Sequence, residues 1–258
     1  MFADRCKPVR ATRPPVVLAA GRRQTGAMRD ATVARLDYGY FVRPPDEAGP
    51  EPSPRPCLGY LVDHPEARLL VDTGMGTDPE VDAYYRLHRI ELPDALARLG
   101  LRLDDVDAVA NCHLHFDHCG GNPLLSGRPI FVQRVELEMA TTTEGYTLPE
   151  LVDAPGFRYE VLDGEAEVLP GVFVVPTPGH TPGHQSVVVR RRDGTVVVAG
   201  QSHETAMEYG TEVLARRAAG EDAHAMADLR LGPEWVARLQ SFDPARVVFA
   251  HDRSVFEP

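Results

Sequence analysis

The sequence predicts one mixed α/β domain in which strands dominate and helices lie between them. Its 258 residues fit a single domain with an ample core, and 43% hydrophobic with 25% charged residues is ordinary for a globular protein. Short β-branched runs bounded by Pro, Gly or Asp recur in both halves of the chain. Because there is no linker and no clear internal repeat, we expect one domain over residues 1–258, with residues 1–30 as an extended or disordered segment rich in Arg and Pro.

The first half of the chain is predicted to hold a strand hairpin followed by two helices. Residues 44–56 carry six prolines and several charges, which predicts a loop. The hairpin strands are expected at residues 57–62 and 68–71, followed by a glycine-bearing turn over 72–76. Asp78 and Pro79 predict a helix start, since Asp caps a helix and Pro suits its first position. Leucines at helical spacing predict a second helix that closes at Gly100.

The second half is predicted to contain further strands and a long loop. Residues 141–159 show no clear period and are interpreted as a loop that forms a candidate lid. Strands are expected at 129–132, 172–175, 185–189, 195–199 and 247–249, and helices at 134–140, 205–219 and 233–240.

Charge and composition argue against several classes of partner. A net charge of -11 repels phosphate backbones, so we expect no nucleic-acid binding. The apolar stretch at residues 16–20 is too short for a signal sequence or a membrane span, which predicts no membrane contact and a cytoplasmic location. The four cysteines show no C-x-x-C spacing and are interpreted as small packing residues: Cys6, Cys57, Cys112 and Cys119.

Residues 113–118 read H-x-H-x-D-H, which places four metal-capable side chains in six positions. The motif follows an apolar run and precedes two glycines, so it is predicted to begin where a buried strand opens into a loop. Imidazole and carboxylate ligands suit zinc, and also manganese, iron or cobalt. The alternative is a polar loop with histidines on the surface.

Two further segments place histidines after predicted strands. His180 and His184 lie in a loop over residues 176–184 that Pro and Gly stiffen, and His251 follows the apolar run 247–250. One histidine after a strand is commonly a satisfied surface residue. Three such segments together favour a shared metal centre.

These features resemble the metallo-β-lactamase superfamily of hydrolases. The resemblance rests on the H-x-H-x-D-H motif, the T-P-G-H-T-P-G-H loop at 177–184, the late His251 and the D-T-G turn at 72–74. It implies an α/β (α+β) fold, a four-layer αββα sandwich with the metals at one edge of the paired sheets.

The resemblance also implies a ligand set and a chemistry. His113, His115 and His184 would hold one divalent metal, and Asp117, His118 and His251 a second, while His180 shapes the turn. Zinc is the first expectation for both ions, with manganese, iron or cobalt as alternatives. A hydroxide held by the metals would attack a lactone or ester carbonyl, and Asp117 would orient it and pass a proton to the leaving group.

One position departs from the superfamily pattern. Gln201 stands where many members carry a bridging aspartate, so the metal pair loses one unit of charge neutralisation. The resulting expectation is a weaker second metal site, or partial substitution by His203 or Glu204. The alternative is that Gln201 only hydrogen-bonds nearby histidines.

Within the superfamily the chain is most similar to the quorum-quenching N-acyl-homoserine lactonases, through residues 180–186, residues 249–252 and its overall length. The lactonase tyrosine that contacts the oxyanion has no counterpart at the expected place, so His203 or Tyr209 would have to serve. We expect a small acyl substrate, walls from residues 134–160 and 203–232, and lining by Tyr146, Met207 and Tyr209.

Three alternatives remain open at this point. A glyoxalase-like thioesterase, another ester hydrolase of secondary metabolism, or a non-catalytic metal-binding relative would share the motif. The protein is expected to act as a monomer or a homodimer.

Overall fold

The computed structural model describes residues 30–48, 50–221 and 229–258. The predicted N-terminal segment therefore lies, apart from Asp30, outside the described residues. The strands are β1 (Thr32–Arg43), β2 (Ser53–Asp63), β3 (Arg68–Val71), β4 (His88–Arg89), β5 (Ala108–Ala110), β6 (Pro129–Gln133), β7 (Arg158–Leu162), β8 (Ala166–Leu169), β9 (Val172–Pro176), β10 (Gln185–Val189), β11 (Thr195–Val198) and β12 (Pro244–Val248). The helices are α1 (Pro45–Ala48), α2 (Pro79–Tyr84), α3 (Leu92–Ala97), α4 (Phe116–Cys119), α5 (Arg134–Thr142), α6 (Ala206–Glu221) and α7 (Glu234–Gln240).

The strands form two mixed sheets. The first has seven strands in the order β4-β1-β2-β3-β5-β6-β7, and the second has five in the order β12-β11-β10-β9-β8. The run β3-β5-β6-β7 is parallel, as is the pair β11–β12, and the remaining pairs are antiparallel. Parallel neighbours end at the same edge of a sheet, so the loops that follow β5 lie beside those of its parallel neighbours.

The apolar side chains separate into layers that confirm the predicted four-layer sandwich. One cluster joins the inner faces of both sheets, with Tyr60 and Phe131 from the first and Val187 from the second. The outer face of the first sheet packs on α3 through residues such as Leu96. The outer face of the second sheet packs on α6 and α7, with Val236 fully buried. Burial of apolar surface on both faces of each sheet is the main stabilising contribution.

The largest difference between the predicted and the observed elements is the pair of strands β1 and β2. Strand β1 was not predicted, and β2 begins at Ser53, inside the stretch interpreted as a loop. Pro54 and Pro56 are tolerated because β3 pairs with β2 only at residues 60–63, which leaves no ladder on the other side of the proline segment. That free side instead receives the chain after β12, where the Leu58 amide donates to the Ala250 carbonyl over 2.9 Å.

The stretch predicted as a lid is shorter and more ordered than expected. Helix α5 extends to Thr142, a 3-10 turn covers Pro149–Leu151, and β7 begins at Arg158. Strand β8 was also missed. The segment that remains, residues 143–157 with the 3-10 turn inside it, lies between α5 and β7.

The helices are mostly short and cover the sheets. The predicted start at Asp78 is confirmed, because its carboxylate accepts the amides of Glu80 and Val81 at 2.9 Å each. The helix predicted to close at Gly100 ends earlier, at Ala97. Within the described ranges, no helix combines the length and apolar character needed to cross a membrane.

Candidate metal centre and active site

Four loops converge at one edge of the two sheets and bring the predicted histidines together. The H-x-H-x-D-H motif follows β5 and contains α4, while His180 and His184 lie between β9 and β10. Gln201 follows β11 and His251 follows β12. Because β11 runs antiparallel to β10 and parallel to β12, the ends that carry these residues meet at one edge. The sequence motifs identify these residues, and the sheet topology brings them to one edge.

One group of potential ligands consists of Asp117, His118 and His251, all of them buried. Asp117 Oδ2 lies 3.4 Å from Nε2 of His118 and 3.4 Å from Nε2 of His251. The two imidazole Nε2 atoms are 3.2 Å apart. One carboxylate oxygen and two ring nitrogens that face the same point make a donor set that a divalent cation can use.

A second group consists of His113, His115 and His180. Nδ1 of His115 lies 3.0 Å from Nε2 of His113 and 3.2 Å from Nε2 of His180. The predicted set contained His184 in place of His180. In the structure, His184 Nε2 accepts a hydrogen bond from the backbone N–H of Gln201 over 3.0 Å, and this ring groups with Cys112 and His113.

Hydrogen bonds to the other ring nitrogen fix the direction of three of these imidazoles. His118 Nδ1 lies 3.0 Å from Asp72 Oδ2, and His251 Nδ1 lies 2.8 Å from the Pro56 carbonyl. His184 Nδ1 lies 2.8 Å from the Thr177 hydroxyl. In His118 and His251 this contact leaves Nε2 facing the other candidate ligands, which is the arrangement that orients histidine ligands in metalloproteins, whereas Nε2 of His184 accepts the Gln201 backbone amide. The D-T-G turn thus contributes Asp72 as the partner of His118.

Electrostatics favour the metal-binding protonation states of His113, His184 and Asp117, whereas His118 has a raised pKa and loses a proton when a metal binds. Burial lowers the pKa of His113 and of His184 well below the ordinary value, so both rings are neutral near pH 7. Burial alone would raise the pKa of Asp117, but His118 and His251 hold it well below its usual range. Neutral imidazoles and an ionised carboxylate are the ligand forms of these groups. The residues therefore fit a divalent metal centre.

The buried histidines of the site make the free energy of unfolding of the metal-free protein depend on pH. Burial lowers the folded-state pKa of His113, His184 and His251 below the ordinary 6.5, so below pH 6.5 the unfolded chain binds protons that the folded chain does not. His118 acts with the opposite sign: although burial disfavours its charge, nearby Cys112 and carboxylates raise its pKa, so its contribution is lost as pH rises through that folded value. Burial also lowers the pKa of His115 and His180, so five groups with lowered pKa outweigh the one with raised pKa.

We therefore expect metal-free protein to have a lower free energy of unfolding at pH 5 than at pH 7.5. Urea unfolding of chelator-treated protein at both values measures it. Equal stability at the two values, or greater stability at pH 5, would contradict the assignment of neutral buried imidazoles.

Glu136 on α5 ties the histidine loops together and is fully buried. Its Oε1 accepts the Leu114 amide over 2.8 Å and the Tyr146 hydroxyl over 2.5 Å, and its Oε2 accepts the Thr181 hydroxyl over 2.7 Å. Gly183 allows this approach, since a Cβ there would lie 2.4 Å from the Glu136 amide nitrogen. The sequence offered no local signal for this role, because Glu136 resembles any acidic residue in the first turn of a helix.

A cavity of about 450 Å³ opens onto both histidine groups, with His115, Asp117, His180 and Gln201 among its walls. Aromatic and aliphatic side chains form much of the rest, including Phe41, Val81, Tyr85, Phe116 and Leu148. Tyr146, a predicted substrate residue, also lines the cavity, and its ring centroid lies 4.8 Å from that of His115.

The other predicted substrate and catalytic residues lie elsewhere. His203 packs against Tyr209 and Trp235, and its Nε2 lies 3.3 Å from Glu212 Oε2. Tyr209 is fully buried and accepts a hydrogen bond from Gln240, while Met207 is 77% exposed. None of these three is among the residues that line the cavity in the described part of the chain. The structure instead contributes Phe41 and Arg43 from the unpredicted strand β1.

Comparison with known proteins identifies the family. A family model described as the metallo-beta-lactamase superfamily matches residues 52–251, and the chain belongs to this superfamily. A curated N-acyl homoserine lactonase from a Bacillus species is 36% identical over 172 residues, which cover 61% of this chain and 68% of the relative. The lactonase AttM of Rhizobium radiobacter is 31% identical over 158 residues, 52% of this chain and 60% of the relative.

Solved structures agree with this placement. An N-acyl homoserine lactone hydrolase with N-hexanoyl-L-homoserine bound at its catalytic metal centre superposes with a TM-score of 0.68 at 25% identity, over 88% of this chain and 95% of that chain. These findings confirm the predicted resemblance to the superfamily and to its lactonases. They also confirm the prediction of a metal-dependent hydrolase that acts on ester bonds.

Proposed function

We propose that this protein opens the lactone ring of N-acyl homoserine lactones. The main support for the proposal is that Asp117, which groups with His118 and His251, lies in the wall of a largely apolar cavity together with His115 and His180. The similarity to curated lactonases supports the same proposal. The reactants of the proposed reaction are a small acyl lactone and water. The cytoplasmic location and the monomeric or homodimeric state stay predictions.

In this proposal Asp117, His118 and His251 hold one divalent metal. His113 and His115 hold the other, with a third imidazole from the 177–184 loop, where the family pattern selects His184 and the described distances favour His180. Zinc is the first choice and manganese, iron or cobalt the alternatives. When bound, the ions supply Lewis acidity that activates water and polarises the lactone carbonyl. Because Gln201 carries no charge, the ion at the Asp117, His118 and His251 group is held more weakly.

The protein's own groups perform the remaining steps. The oxygen of water bonds to the ring carbonyl carbon, the ring C–O bond breaks, and the released alkoxide oxygen needs a proton. In this proposal the Asp117 carboxylate accepts a proton of the attacking water on the oxygen that does not bind the metal, and returns it to that alkoxide. Phe41, Tyr85 and Phe116 offer apolar surface to the acyl chain.

The test compares substrates on protein reconstituted with zinc or manganese. Proton release is followed with N-butanoyl, N-hexanoyl and N-dodecanoyl homoserine lactones, and with an aryl ester and an acyl thioester as controls. We expect kcat/KM for at least one lactone to exceed that for either control. A preferred thioester would support a glyoxalase-like activity, a preferred ester another esterase, and no turnover at all a non-catalytic metal-binding protein. Each of these three results would overturn the lactonase proposal.

A further inference from the structure

The neutral amide of Gln201 sits at the edge of the metal centre in one defined orientation. Its Oε1 lies 3.2 Å from His118 Nε2, the atom that also faces Asp117 and His251. Its Nε2 donates to Glu204 Oε1 over 3.0 Å. The amide therefore bridges the ligand group and a carboxylate three residues further along the chain.

Glu204 is what selects that orientation. An amide can present either its oxygen or its NH2 group to a neighbour, whereas an ionised carboxylate only accepts hydrogen bonds. With Glu204 on one side, the NH2 group must face the carboxylate, and the oxygen must face the centre. Without Glu204, the Gln201 NH2 group could turn toward the metal centre. In that orientation it would repel a cation and would offer no lone pair to bind it.

Two arginines form ion pairs with Glu204. Its Oε2 lies 3.1 Å from Nη1 of Arg43 and 3.8 Å from Nε of Arg55, residues of β1 and β2. The Glu204 side chain is 26% exposed, so it is screened from solvent on most sides. Two strands of the first sheet thus fix a carboxylate that belongs to the loop after β11 in the second sheet.

We propose that Glu204 is a positioning residue that turns the Gln201 carbonyl oxygen toward the metal centre and so compensates for the missing bridging carboxylate. The inference rests on the proposed function, because it requires a metal at the Asp117, His118 and His251 group. A carboxylate at position 201 would offer an oxygen in every orientation. The need for Glu204 should then disappear.

The test measures zinc affinity by competition with a chromogenic chelator, on the full chain and without reference to turnover. We expect Glu204→Ala to weaken the more weakly held equivalent by about 10-fold to 100-fold. Glu204→Gln should lose less, since its amide oxygen can still accept the Gln201 NH2 group. In a Gln201→Asp background the same Glu204→Ala change should cost less than about 3-fold, because the orientation no longer matters.

Glu234→Gln provides a control for the loss of one negative charge, as its carboxylate is 92% exposed on α7. Equal losses from Glu204→Ala in both backgrounds would mean that Glu204 acts only through its charge, and would overturn the proposal. No effect of Glu204→Ala on zinc affinity would overturn it as well. Protein that binds no zinc in any variant would remove the metal-dependent function itself, and this inference with it.

Discussion

Replacing Asp117 by asparagine should lower kcat/KM for N-acyl homoserine lactones by about 10²-fold to 10⁴-fold, the range expected when a positioned proton-transfer group is lost. Asparagine keeps the size of the side chain but can neither accept a proton nor contribute charge to the group formed with His118 and His251. The measurement pairs steady-state kinetics with the zinc content of the same sample. A loss of activity that exceeds the loss of zinc would separate the proton-transfer role from the ligand role.

Asp153→Asn is the matched control, since Asp153 is exposed and undergoes the same chemical change. It should leave kcat/KM within about 2-fold, as expected for surface substitutions. If Asp117→Asn retained most of the wild-type activity, Asp117 would not be the proton-transfer group.

Replacing Glu136 by alanine should destabilise the protein by about 3 kcal/mol or more, because it leaves several buried donors without an acceptor. The amide of Leu114 and the hydroxyls of Tyr146 and Thr181 would lose their partner together. These groups belong to the H-x-H-x-D-H motif, to the irregular segment after α5 and to the loop that carries His180 and His184. The variant should therefore also lose zinc affinity, although Glu136 is not itself a ligand.

Urea unfolding of Glu136→Ala and Glu138→Ala provides the comparison. Glu138 lies two residues further along α5 and is exposed, so its replacement should change the free energy of unfolding by less than about 0.5 kcal/mol. Similar small effects of both substitutions would show that the hydrogen bonds of Glu136 contribute little to holding the two loops.

The histidine motif could be read from the sequence because its information is local. Four ligand-type residues within six positions, placed after an apolar run, need no tertiary contact to be noticed. His251 and the loop over 177–184 added the same signal, a ligand at the end of a strand. These features were enough to predict the layered fold and the family.

The residues that line the cavity could not be predicted from the sequence in the same way. Phe41 and Arg43 lie on β1, at least seventy residues before the motif, and only the pairing of β1 with β2 brings them to the site. The aromatic and β-branched residues at 38 and 40–42 were the signal that could have predicted this strand. His203 is the opposite case, since it was predicted at the site and is only two residues from Gln201. The chain turns after β11, and the His203 ring packs against Tyr209 and Trp235.

The prolines at 44–56 predicted a loop, but part of this segment forms strand β2. Prolines usually interrupt a ladder, yet here Pro54 and Pro56 lie where β2 has a neighbour on one side only. The same free side gives His251 its partner, since the Pro56 carbonyl lies 2.8 Å from Nδ1 of that ring. The segment interpreted as a loop is thus a strand that also orients a candidate ligand.

The most direct test of the proposed function is a metal titration of the metal-free protein with N-hexanoyl-L-homoserine lactone as substrate. Zinc is added in steps, and the ring-opening rate is recorded against the measured zinc per chain. We expect no turnover without metal, activity that rises with bound zinc and saturates near two equivalents, and no activity at any zinc level in His118→Ala. Turnover that is independent of zinc, or that survives in His118→Ala, would contradict it.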